Sequence, residues 1–130
     1  MKSALPMLAL TLLAGCANAA PPAPPAQQPA LTYAAIGQDV NVGGPHVTPL
    51  AVIEDSRCPQ DVRCVWAGRL RLSIRITTGP GAETREITLG TPIPVADGTL
   101  LLAEASPARK TKAAAPPGDY RFGFRFDGGY

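Results

Sequence analysis

Between Arg69 and Thr77 the chain alternates strictly. Leu70, Leu72, Ile74 and Ile76 are interleaved with Arg69, Arg71, Ser73, Arg75 and Thr77. Successive side chains of a strand point to opposite faces, so a period of two predicts a strand with one face in a core and the other in water. Asp119 to Asp127 repeats the pattern, with Tyr120, Phe122, Phe124 and Phe126 on one face and Arg121, Gly123 and Arg125 on the other. It holds most of the aromatic residues, which predicts a central strand.

Gly79-Pro80-Gly81 predicts a turn and Thr84 to Leu89 a strand, so 69–77 and 84–89 read as a hairpin. Asp97-Gly98 opens another turn before a strand over Thr99 to Ala105. Upstream, Gln38 to Val42 and Val47 to Glu54 flank Gly43-Gly44-Pro45 as two further strands, whereas Ser106 to Gly118, with Pro107, Pro116 and Pro117, reads as a long loop. No segment has a convincing helical period. Six or seven short strands in about 100 residues predict an all-β domain: a small antiparallel β-sandwich, Ig-like or similar, with a small β-barrel as the alternative.

The 130 residues allow one domain, expected over 31–130, and leave no room for a second core. So small a domain buries only about two thirds of its unfolded surface and benefits from a covalent staple. The formal charge is +2, and removal of a leader containing Lys2 leaves 11 basic against 10 acidic residues. Such a balance lacks the basic stripe expected of a nucleic-acid binder, and no nucleic-acid partner is expected.

The N-terminus carries an address. Lys2 provides a positive start and Ala4 to Ala14 an apolar stretch of eleven residues, about half of what spans a bilayer. Leu13-Ala14-Gly15-Cys16 follows and resembles the lipobox of bacterial lipoproteins. The resemblance implies a signal peptide over 1–15, cleavage before Cys16, and a diacylglyceryl and palmitate-type anchor on its thiol. Ala17 rather than Asp after that cysteine implies sorting to the outer membrane, facing the periplasm, in a cell with two membranes. The alternative is plain secretion with Ala17-Asn18-Ala19 as the cleavage signal. The rest of 16–30 is uncharged and contains five prolines, which predicts a disordered Pro/Ala tether reaching up to about 40 Å.

Outside the cytosol thiols oxidise, and Cys58 and Cys64 are separated by a short Pro-containing stretch that can fold back. A disulfide is the expected pairing, stabilising by about 2 to 2.5 kcal/mol through chain entropy. The alternatives are a metal site with His46 and Asp55, which fits zinc-ligand spacing poorly, and a redox-active pair, which would normally need Cys-x-x-Cys. No metal or other cofactor is expected. Asp55-Ser56-Arg57-Cys58-Pro59, then Val62, Cys64 and Trp66-Ala67-Gly68, resemble the signature Asp-Ser-Arg-Cys-Pro-x-x-Val-x-Cys-x-Trp-Ala-Gly of a functionally uncharacterised group of small exported bacterial proteins. The resemblance implies export and a similar strand layout, and carries no activity. The chain departs from it at Pro107-Ala108-Arg109, where an aromatic residue and a second proline would be expected.

Within this motif Asp55 is expected to cap the turn by accepting backbone N–H bonds near Arg57. Trp66 shares the parity of Leu70 where no bulge intervenes, so it is expected to pack over the disulfide as a core plug; the alternative is an exposed stacking platform. Glu54 and Asp55 are adjacent and so point apart on a strand, which excludes a local acid/base pair. His46, the one histidine, has no serine or cysteine at triad spacing, leaving only a triad assembled in space with Ser56 or Ser106.

These readings predict a non-enzymatic envelope lipoprotein whose domain binds a partner. The candidate contacts are Trp66 and Arg57, together with a basic ridge of Arg69, Arg71, Arg75, Arg121 and Arg125 should the two alternating strands be neighbours. Such a ridge would attract an anionic envelope polymer. The alternatives are a small-ligand or metal-binding protein using the loop and Trp66, or a protease inhibitor presenting Pro59 to Arg63.

Overall fold

The alternating run from Leu70 forms the centre of one of two sheets, and Leu70, Leu72, Ile74 and Ile76 are all fully buried. The computed structural model describes residues 15–25, 30–111 and 113–128; the expected signal peptide over 1–15 therefore lies, except for Gly15, outside the described residues. In chain order the strands are β1 (Thr32–Ala34), β2 (Val40–Asn41), β3 (His46–Asp55), β4 (Leu70–Thr78), β5 (Gly81–Thr88), β6 (Ile93–Val95), β7 (Gly98–Ser106) and β8 (Arg121–Asp127). A 3-10 turn at Pro117–Asp119 precedes β8. No helix among the described residues is long and apolar enough to cross a membrane.

The strands make two four-stranded antiparallel sheets, ordered β1-β8-β7-β6 and β2-β3-β4-β5. They are not closed into a barrel, and their inner faces share one core, so the domain is a small β-sandwich. Leu and Ile side chains from β4 meet Leu100 and Leu102 of β7 and Phe122 and Phe124 of β8, all fully buried. Each such side chain withdrawn from water contributes about 1.5–3 kcal/mol.

The β4–β5 hairpin forms as the pattern predicts, although Thr78 already faces Gly81, so the tip is Gly79-Pro80 and β5 starts earlier than Thr84. Two short strands lay below the resolution of the pattern. β1 has three residues and β6 carries Pro94 at its centre, a position tolerated because β6 is an edge strand. β3 is irregular in a way that alternation could not foretell. Its pairing with β4 slips between Pro49 and Ala51 and again between Val52 and Glu54, leaving Leu50 and Ile53 as the extra residues of two bulges.

The expected basic ridge does not form. β4 and β8 belong to different sheets, so Arg69, Arg71 and Arg75 never meet Arg121 and Arg125. Most are engaged locally as well. Arg69 and Arg71 bond Glu54 at 2.8 and 3.5 Å, and Arg71 also bonds Glu86 at 3.0 Å. Arg125 pairs with Asp127 at 3.3 Å, and Arg121 donates to the carbonyls of Gly118 and Tyr120.

Candidate binding site

The first bulge inverts the parity of β3 and the second restores it, so Asp55, paired with the inward-facing Leu70, turns its carboxylate between the sheets. That side chain is only 2% exposed. A buried carboxylate must be compensated. Arg57 supplies a bidentate pair, with Nε and Nη2 at 2.8 and 2.9 Å, and the Tyr120 hydroxyl donates at 2.7 Å. Burial alone would raise the Asp55 carboxyl, but the Arg57 and Tyr120 contacts outweigh it and hold it below the ordinary carboxylate range. Burial and the neighbouring Asp55 raise the Tyr120 hydroxyl, and the bond to Asp55 raises the Arg57 guanidinium.

Arg57 also reaches the other sheet. Its Nη1 and Nη2 donate to the carbonyls of Ala105 at 3.2 Å and Pro107 at 3.0 Å, while its own carbonyl accepts from Arg109 at 3.0 Å. Asp55, Arg57 and Tyr120 thus form a clasp between the end of β3, the end of β7 and the start of β8. The hydrogen bonds that Asp55 accepts come from the Arg57 guanidinium and the Tyr120 hydroxyl. Arg57 is consequently a structural residue.

Above the clasp the chain makes a stapled loop. Ser56 N–H donates to the Arg69 carbonyl at 2.8 Å, Arg69 N–H to Ser56 Oγ at 3.0 Å, and Cys58 N–H to the Ala67 carbonyl at 3.1 Å. The Cys58–Cys64 disulfide closes the tip, as expected from the sequence. Gly68 is required at the base: its φ is +70°, and a Cβ there would fall 1.7 Å from the Ser56 carbonyl oxygen.

Trp66 does not plug the core. It is 84% exposed and Val65 is 90% exposed, and Val62, within the disulfide-closed stretch, is half-exposed. The reason is Gly68. The left-handed turn there breaks the extended chain between Trp66 and Leu70, so the parity of β4 does not carry back into the loop. The ring beneath the clasp is Tyr120, stacked on Phe122 with centroids 5.6 Å apart.

Elsewhere, His46 bonds Asp39 at 2.7 Å and Asn41 at 3.4 Å, and Thr48 takes the other Asp39 oxygen at 3.1 Å. The His46 bond lowers the Asp39 carboxyl, partly opposed by its burial, with Thr48 adding to the lowering. This cluster was not anticipated, because it depends on pairing across β2 and β3. Ser56 bonds Glu54 and Arg69, and Ser106 bonds the Arg121 carbonyl, so neither serine is the partner of a His46 ring nitrogen. The sulfurs of Cys58 and Cys64 are joined to each other and Asp55 faces Arg57, which removes the ligand set weighed for a metal. Among the described residues no three His, Cys, Asp or Glu side chains are grouped to hold an ion.

The sites the structure brings out are therefore the apolar tip of the stapled loop and, beside the clasp, a groove along β3 lined by Leu50, Ile53, Ala115 and Tyr120. Comparison with protein-family models, with curated proteins and with solved structures finds no match to the chain.

Proposed function

We propose that this chain is a non-enzymatic, lipid-anchored module of the cell envelope that docks a partner protein through the stapled loop. The observation that carries the reading is the pair Val65 and Trp66, at 90% and 84% exposure, on a loop fixed by a disulfide and by paired limbs. An exposed tryptophan with neighbouring valines has no structural work in the free domain. It suits the centre of an interface, where tryptophan is enriched among the residues whose truncation costs most. A loop already ordered before binding loses little entropy in the complex. Asp61 and Arg63, both exposed at the tip, supply a polar rim.

The anchor follows from the short apolar leader and Leu13-Ala14-Gly15-Cys16, with the Pro/Ala segment as spacer. Described residues 15–25 are exposed and carry no strand or helix, and the Cys16 thiol is exposed and outside the disulfide. An outer-membrane position facing the periplasm is the address that Ala17 favours.

The test is a photo-crosslinking residue in place of Val65 in the full-length protein, expressed in its own envelope. One discrete protein adduct is expected, lost when Trp66→Ala is added. A protease as the captured partner would make the module an inhibitor. Diffuse labelling, or an adduct indifferent to Trp66→Ala, would overturn the proposal.

A further inference from the structure

Apolar surface is left uncovered at one end of the molecule. Six large apolar side chains are exposed among the described residues: Val62, Val65 and Trp66 lie in the stapled loop, and Leu50 and Ile53 line the groove along β3. Only Tyr33 lies elsewhere, and its hydroxyl is bonded to Glu104. Exposed apolar surface gathered in this way marks an interaction site. One patch is convex and the other concave, and the clasp joins them: Asp55 and Tyr120 line the groove, and the loop begins at Ser56.

The groove holds about 580 Å³, within the range of sites that take drug-sized molecules, about 300–1,000 Å³. An indole is smaller than such a molecule. Ile36, Leu50, Val52, Ile53, Ala115 and Pro117 wall it. Two carboxylates line it as well, and both are held: Arg57 binds Asp55, and Arg69 and Arg71 bind Glu54. What it offers a guest is therefore an apolar surface. The chain's own tip does not fill it, because paired limbs and the disulfide fix the loop and Trp66 stays 84% exposed.

We propose that a second copy fills it: the partner of the stapled loop is this same chain, with Val65 and Trp66 of each copy seated in the β3 groove of the other. This rests on the reading of the loop as a docking element. Tip and groove share one end of the domain, so a twofold axis beside the clasp makes both contacts at once, as an isologous dimer requires. The area agrees. Trp66 and Val65 together expose about 300 Å², and two tips with two matching groove walls bury roughly 1,200 Å², the lower bound of stable interfaces. The dimer is therefore weak, dissociating in the micromolar range or above.

Sedimentation of the full chain bearing Cys16→Ser, which removes the free thiol, tests this from micromolar to millimolar concentration. A reversible monomer–dimer equilibrium is expected, little changed by salt because the contact is apolar. Trp66→Ala and Ile53→Asp, both at exposed positions, should each weaken it at least about thirtyfold and leave the melting temperature unchanged. A mixture of the two variants should associate more tightly than either alone, since it restores one intact tip and groove. A chain that stays monomeric throughout, a dimer indifferent to Ile53→Asp, or a mixture no tighter than its components would overturn the proposal. In the envelope, the photo-crosslinking residue at position 65 should give an adduct of twice the mass of the chain. An adduct with a different protein alone would overturn the second copy and leave docking by the loop in place.

Discussion

Asp55 concentrates more consequence than any other side chain, because its carboxylate serves a guanidinium and a phenol at once in a nearly dry position. Asp55→Asn leaves Arg57 buried without its counter-charge, and a loss of about 3 kcal/mol is expected in urea unfolding. The pH dependence has a defined sign. The carboxyl titrates lower in the folded chain than in the unfolded chain, so its contribution is present above the ordinary carboxylate range and is lost as pH falls through the folded value. Wild-type stability should therefore decline from about pH 5 towards pH 3, and the decline should be shallower in Asp55→Asn. An equally steep profile in the variant would remove Asp55 from the explanation. At Gly68 the constraint is steric: Gly68→Ala places a methyl against the Ser56 carbonyl and demands positive φ from alanine, so a loss of at least about 2 kcal/mol is expected, read as a lower melting temperature.

At the scale of elements, the stapled loop separates fastening from presentation. Breaking the disulfide with Cys64→Ser should lose about 2 kcal/mol through regained chain entropy. Trp66→Ala, at an exposed position, should change stability by less than about 0.5 kcal/mol. The double mutant should then lose the sum of the two within about 0.5 kcal/mol, whereas a core plug would produce strong coupling; thermal unfolding of the three variants distinguishes these. The alternation that revealed β4 and β8 was readable because each spans seven residues or more without interruption. β1 and β6 were unreadable at three residues each. Trp66 was misplaced because parity survives only along continuous strand, and Gly68, which could be read as a point of backbone freedom, is where continuity ends. The disulfide was legible from two cysteines a short loop apart in a chain read as exported. The groove was not, since Leu50 and Ile53 look like ordinary strand residues until the bulges rotate them outward. Nor was the clasp, although a tyrosine leading an aromatic strand needs a partner for its hydroxyl once buried.

On the scale of the whole molecule, the proposed anchor and spacer turn a search in three dimensions into one confined near a membrane. A spacer with a reach of about 40 Å holds the loop at high effective concentration towards any neighbour within that distance. Cys16→Ser should move the protein from the membrane to the soluble fraction while leaving its unfolding transition unaltered. A wild-type protein that fractionates as soluble with Ala20 as its first residue would replace the anchor with plain secretion.

The clasp also determines how the sandwich can come apart. Its three side chains rivet the end of one sheet to carbonyls and a hydroxyl of the other, at the same end from which the stapled loop projects. A force pulling on that loop is delivered to both sheets together, so the domain resists as one body and does not shed a sheet. A protein gripped at the loop by its proposed partner and held on its N-terminal side by the proposed anchor would be loaded in this way whenever the envelope flexes.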